Sequence, residues 1–180
     1  MKKALFFCIL FAVLTLTSAM AQQAAAEISF DFTRLRGSAS NQFAIWIENA
    51  QGQYVKTLYA TRYTANGGFR RRETSIPVWV RQSGLAGLNR NQVDALTGAT
   101  PRTAALTYTW DGTNSAGASV PAGEYVLILE GTLRWANQVY YRAPIRLGQG
   151  AAASTVSVEY IGDADDDRAM IGNVRVRTLR

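Results

Sequence analysis

Apolar and polar residues alternate with period two through most of the chain. Residues 27–32 set Ile28, Phe30 and Phe32 against Ser29 and Asp31, the pattern of a half-buried strand. Residues 43–48 repeat it, with Phe43, Ile45 and Ile47 on one face and Trp46 on the other. Asn49-Ala50-Gln51-Gly52 is turn chemistry, and residues 53–61 resume with Tyr54, Val55, Leu58 and Tyr59, which predicts a hairpin. Further strands are predicted at 104–110, 124–132, 139–147, 154–161 and 173–179. Residues 64–74, with Gly67, Gly68 and the triplet Arg70-Arg71-Arg72, read as a polar loop. Residues 76–84 read as a short helix started by Pro77 and stopped by Gly84. They read equally as a strand, because Val78 and Val80 are β-branched. Residues 85–103 read as loop. Short strands with at most one helix predict an all-β fold: an immunoglobulin-like antiparallel β-sandwich with one short helix and a long loop.

The pattern changes at the start of the chain. Lys2 and Lys3 precede an apolar run at 4–16 that is too short to span a bilayer, and Ala19-Met20-Ala21 follows as a cleavage signature. The expectation is an export signal at 1–21, a loose leader at 22–26 and one sandwich domain at 27–180, located in the periplasm or secreted. No later stretch is long and apolar enough to predict a membrane-embedded protein. Cys8, the one cysteine, falls in the signal, so no disulfide framework is expected. Histidine is absent, which excludes Ser-His-Asp and Cys-His catalysis, imidazole zinc sites and His-ligated haem. The formal net charge is +6, and Lys56 is the one lysine after Lys3. The basic residues are therefore mostly arginine, which forks onto phosphate well. No long basic stripe predicts nucleic acid as a partner.

The loop at 85–103 holds the most specific chemistry. Its segment Asp94-Ala95-Leu96-Thr97-Gly98-Ala99-Thr100-Pro101-Arg102-Thr103 resembles the acceptor pattern Asp-x-x-(Ser/Thr)-Gly-Ala-(Ser/Thr)-x-x-(Ser/Thr). A flavin transferase of the ApbE type reads that pattern in exported bacterial redox proteins and attaches FMN to a hydroxyl as a phosphoester. The resemblance implies covalent FMN on Thr100, with Asp94, Thr97, Gly98, Ala99 and Thr103 as the recognised positions. Gly98 and Ala99 keep the backbone thin, Gly98 permits positive φ, and Asp94 and Thr97 are able to turn the loop by side-chain hydrogen bonds. Trp79, Trp110, Trp135 and the tyrosines are candidates to stack on the ring. Arg70, Arg71, Arg72 and Arg102 are candidates to neutralise the phosphate. Pro101 departs from the favourable context by forcing Thr100 to an extended backbone. A small-residue loop joining two sheets explains the same residues without any cofactor.

Two further resemblances cover more of the chain. Trp110-Asp111-Gly112 through Gly117 and Val120-Pro121-Ala122-Gly123-Glu124-Tyr125 resembles a structural hairpin in the immunoglobulin-like domain of flagellar hook-cap proteins. The order of short helix, acceptor-like loop and Trp-Asp-Gly hairpin resembles a family of predicted periplasmic proteins, domain of unknown function 2271. Members often occur beside flavin transferases and membrane redox proteins with PepSY domains, which implies those two partners. Many members carry a histidine where this chain has Leu133-Arg134-Trp135-Ala136-Asn137. The implied role is a redox carrier rather than a standalone enzyme; the other open reading is a flavin-free immunoglobulin-like binding or assembly module. Asp163, Asp165 and Asp167 mimic the start of a calcium loop, but Arg168 and Val174 break its pattern, and a solvated acidic turn is expected. A sugar platform built from Trp46, Trp79, Trp110 and Trp135 is disfavoured against core packing.

Overall fold

The computed structural model describes residues 24–163 and 165–180. The export signal read at 1–21 and the first residues of the leader lie outside them. Two sheets face each other as a β-sandwich. The first has the order β5-β1-β10-β8, from Ala104–Trp110, Ala26–Phe32, Ile171–Thr178 and Ala152–Ser154. The second has the order β4-β3-β2-β6-β7-β9, from Thr97–Gly98, Tyr54–Thr61, Ala39–Asn49, Gly123–Arg134, Asn137–Leu147 and Ser157–Ile161. Pairing is antiparallel except that β4 runs parallel to β3. Between the sheets lie Phe30 and Phe32 of β1, Phe43, Ile45 and Ile47 of β2, and Leu127 and Leu129 of β6. The period-two alternation predicted this inward face.

The outer face of the second sheet is also buried, which the alternation did not predict. Ala44, Trp46, Ala60 and Ile128 are covered by Ala65, Ile76, Trp79, Leu85 and Val93. The covering layer is the segment read as two loops and one ambiguous element. It contains α1 at Phe69–Arg71, α2 at Pro77–Gln82 and α3 at Arg90–Leu96. The helix reading of 76–84 holds: Pro77 sits in the first turn and Gly84 (φ +63°) follows the last. The single short helix becomes three, and the long loop at 85–103 contains a 3-10 turn, α3 and β4. Residues 154–161 split into β8 and β9.

Other expectations change at the edges. Ala25 and Ala26 are not loose: both are buried, and the Ala25 N–H donates to the Trp110 carbonyl at 2.6 Å. The acidic turn is not fully solvated, because Asp167 is buried and paired with Arg134 at 3.0 Å. At the Trp-Asp-Gly segment, Trp110 Nε1 donates to the Thr113 carbonyl at 2.8 Å and the ring meets Tyr125 edge-on at 5.1 Å. Gly112 (φ +76°) permits that turn. Asp111 accepts from Lys56 Nζ at 3.0 Å and from Thr113 Oγ1 at 2.7 Å. Burial pushes the Asp111 carboxyl upward, but the Thr113 and Lys56 hydrogen bonds outweigh it and hold the group below its ordinary value.

Candidate functional site

The sequence places the acceptor-like loop by a chain of local causes. Asn89 caps α3, accepting from the Gln92 N–H at 3.0 Å while Gln92 Oε1 accepts from the Asn89 N–H at 2.9 Å. After the seven residues of α3 the chain pairs with the edge of β3, with Ala60 opposite Thr97 and Thr61 opposite Gly98. Because β4 and β3 are parallel, both leave the sheet at the same end. Thr61 continues into Arg62 and Tyr63, and Gly98 into Ala99 and Thr100.

Asp94 and Thr97 do not turn the loop as expected. Asp94 sits exposed on α3 in a long ion pair with Arg90 at 3.8 Å, and Thr97 Oγ1 is buried with no hydrogen-bond partner. Gly98 serves a different purpose from the one its flexibility suggested, since it does not adopt positive φ. A Cβ there would lie 2.6 Å from Tyr59 Cε2 and 3.0 Å from the Tyr59 hydroxyl. The glycine lets Tyr59 reach past the strand and donate to the Ala99 carbonyl at 2.6 Å. Gly98→Ala is expected to break that bond, displace residues 99–103 and cost about 1–3 kcal/mol of stability, measured by urea unfolding.

Thr100 lies half-buried in a stretch, 99–103, without regular structure. Its Oγ1 accepts a weak hydrogen bond from Gln42 Nε2 at 3.4 Å. The hydroxyl proton has no acceptor among the described residues. Gln42 is fixed from behind: Nε2 also donates to the Ser40 carbonyl at 3.1 Å, and Oε1 accepts from Thr64 Oγ1 at 3.2 Å. Thr103 Oγ1 accepts from the Arg34 N–H at 2.9 Å and ties down the far end of the loop. Burial raises the Tyr59 and Tyr108 phenols above their ordinary value, so both remain protonated donors beside the loop. Gln42 and Tyr59 were not singled out from sequence. The available signal for Gln42 was its place on the Trp46 face of β2, where a polar residue needs a reason.

A buried polar cluster lies farther along the same sheet face. Glu130 of β6 is fully buried, and its oxygens accept from the Val78 N–H at 3.0 Å and the Trp79 N–H at 2.7 Å, at the start of α2. Tyr140 Oη is 2.9 Å from Glu130 Oε1 and 2.7 Å from Gln138 Oε1. One phenolic proton cannot serve two acceptors, so a proton on Glu130 resolves the conflict by donating to Tyr140. Desolvation by burial raises the Glu130 carboxyl to about 7, against the pull of the Trp79 and Val78 N–H groups, Tyr140 and Arg81. Ile76, before α2, is held at φ +41° by burial and by its N–H bond to Thr132 Oγ1 at 2.8 Å. That conformation is strained for a β-branched residue.

The model of a family described as predicted periplasmic protein, DUF2271, matches residues 24–163. The chain belongs to the DUF2271 family. No curated protein and no solved structure matches it. The DUF2271 match spans β1 to β9 and so contains the helical cap and the loop at 97–103, while β10 lies beyond it. The family description agrees with the export reading. Among the described residues, no helix is long and apolar enough to cross a membrane.

In this DUF2271 protein the tryptophans divide sharply. Trp46, Trp79 and Trp110 are wholly buried, so none forms a surface platform and neither Trp79 nor Trp110 is free to stack on a ring. Trp135 is 64 % exposed at the β6–β7 tip, with the Arg72 guanidinium 5.7 Å over its ring. Arg72 is thus committed to the tip. Arg70 and Arg71 instead join Arg62 around a concavity of about 570 Å³ at the sheet end from which Thr100 departs.

Proposed function

We propose that this periplasmic family member is an electron-transfer protein carrying FMN esterified to Thr100. The observation that carries the reading is the half-exposed Thr100 hydroxyl, set in the acceptor pattern with its proton unclaimed among the described residues. Two local features suit a phosphoester there. Thr97 Oγ1 is a buried polar atom without a partner, and Arg62, Arg70 and Arg71 supply positive charge near the same sheet end.

Esterification needs an activated flavin phosphoanhydride, held by an ApbE-type transferase. Thr100 Oγ attacks the flavin-side phosphorus, and the anhydride P–O bond breaks. The departing nucleotide phosphate keeps the electron pair, and the hydroxyl proton passes to a base on the transferase. Gln42 Nε2 occupies one lone pair of Oγ1 and leaves the other for attack. Tyr59 and Thr103 anchor the two sides of the loop, so the hydroxyl is presented rather than free to swing. The bound flavin would supply reversible electron uptake and release. A membrane redox protein of the PepSY type fits as the exchange partner.

Co-expression of the full chain with a flavin transferase is expected to give a fluorescent band in a denaturing gel and an intact mass raised by one FMN moiety. Thr100→Ala should lose both, and Thr100→Ser should keep them. An unmodified parent protein beside a working transferase removes the reading. A flavin-free binding or assembly module is the second reading, favoured by the open Trp135 ring at the hairpin tip. Its mark is a colourless protein that loses a specific partner on Trp135→Ala.

A further inference from the structure

We propose that the concavity lined by Arg62, Arg70 and Arg71 is a reversible binding site for a phosphate monoester borne on an aromatic ring. Among the described residues its three guanidinium groups make no ion pair and no hydrogen bond, Arg70 lies 5.3 Å over the Phe69 ring, and no carboxylate lines the cleft. Like charges gathered without a counter-ion repel one another, and a bound dianion removes that cost. Arginine is suited to the task because its planar fork takes two phosphate oxygens at once.

The floor is backbone. Asn66 (φ −83°) and Gly67 (φ +90°) alternate in handedness, the sequence of conformations that forms anion-binding concavities. Gly68 packs so closely under Tyr63 that a Cβ would clash with the Tyr63 carbonyl oxygen and lie 2.7 Å from its ring. That contact fixes the tyrosine, which is 49 % exposed and offers an aromatic face at the cleft edge. The volume of about 570 Å³ suits a small organic ligand rather than an inorganic ion alone. Charge, backbone concavity and open ring together select a phosphorylated aromatic. None of its lining residues belongs to the loop at 97–103, so binding there is measurable without the ester at Thr100.

The test uses the mature chain carrying Thr100→Ala, so covalent loading cannot contribute. FMN, riboflavin and inorganic phosphate are titrated by flavin fluorescence and calorimetry. FMN is expected to bind and to be displaced by inorganic phosphate. Riboflavin, which has the ring without the phosphate, should bind at least about ten-fold more weakly. The exposed double change Arg70→Ala/Arg71→Ala should weaken FMN by about ten-fold or more, while Arg175→Ala, on β10 of the other sheet, should leave it unchanged. Equal binding of FMN and riboflavin, or undiminished FMN binding by the double variant with an unaltered circular dichroism spectrum, would overturn the proposal. Both outcomes are separate from the fate of Thr100, which the mass measurement alone decides.

Discussion

Trp79→Ala is expected to cost about 3–5 kcal/mol of folding stability and to loosen the helical cap. Trp79 is wholly buried between α2 and the outer face of the second sheet. Its indole N–H donates to Thr57 Oγ1 at 2.8 Å, and its backbone N–H donates to Glu130 at 2.7 Å. Truncation removes a large apolar surface and leaves a cavity beside Ala44 and Ile128, which are too small and too fixed to fill it. Trp79→Phe keeps most of the ring and gives up the indole hydrogen bond. Thr57 Oγ1 retains Tyr54 Oη at 2.8 Å, so this change should cost only about 1 kcal/mol beyond its volume loss. Urea unfolding measures both, and hydrogen exchange locates the effect. Amides of α2 and α3 should lose protection before those of β2 and β6. A loss below about 1 kcal/mol for Trp79→Ala would show that the cap is not a second core.

The second large effect is a fall in stability as pH rises through neutrality. Glu130 has an ordinary value of 4.5 and is raised to about 7 in the folded protein. Between those values the folded state holds a proton that the unfolded state has released. Its contribution is therefore fully present below 4.5 and is lost as pH climbs through 7, by roughly 3 kcal/mol in all. Asp111 acts in the opposite sense at lower pH. Its lowered carboxyl contributes above the ordinary value of 3.8 and loses that contribution on acidification. The two together place maximal stability on the mildly acidic side. No histidine titrates in the intervening window. The expected result is a lower urea midpoint at pH 8 than at pH 5. Glu130→Gln should cost stability at pH 5, because its amide faces a backbone N–H, but should flatten the slope. A parent protein as stable at pH 8 as at pH 5, with the same profile in Glu130→Gln, would show that Glu130 is ionised in the fold.

How much of this was legible depends on which physical signal each element carries. β1 and β5 were readable because one face is apolar and the other polar, so period two survives in the sequence. β2 is buried on both faces, so Trp46, on the face opposite Phe43, Ile45 and Ile47, belongs to a second core that the alternation alone does not reveal. The cap was hidden for the same reason. Short helices such as Phe69–Arg71 show no helical period, and their apolar residues are spread among arginines and glycines. α3 left a sign in the Asn89-to-Gln92 spacing, which is a capping box by composition. Gly98 stands out in the sequence for its thin backbone, but close approach by Tyr59, forty residues away from the Ala99 carbonyl it binds, is a long-range fact. Glu130 is a charge inside the apolar strand predicted at 124–132, and such a charge needs partners that only the fold reveals. The resemblance to an acceptor pattern draws attention to residues 94–103, while bringing Gln42 and the cleft arginines to the same sheet end requires the parallel pairing of β3 and β4.

The central claim rests on the oxygen of one threonine. Trypsin releases it in the peptide 91–102, between Arg90 and Thr103, together with Thr97. Fragmentation of that peptide from protein exported alongside a flavin transferase should place one FMN moiety on Thr100 and none on Thr97. A peptide recovered unmodified, or a flavin found on any other residue, would contradict the account.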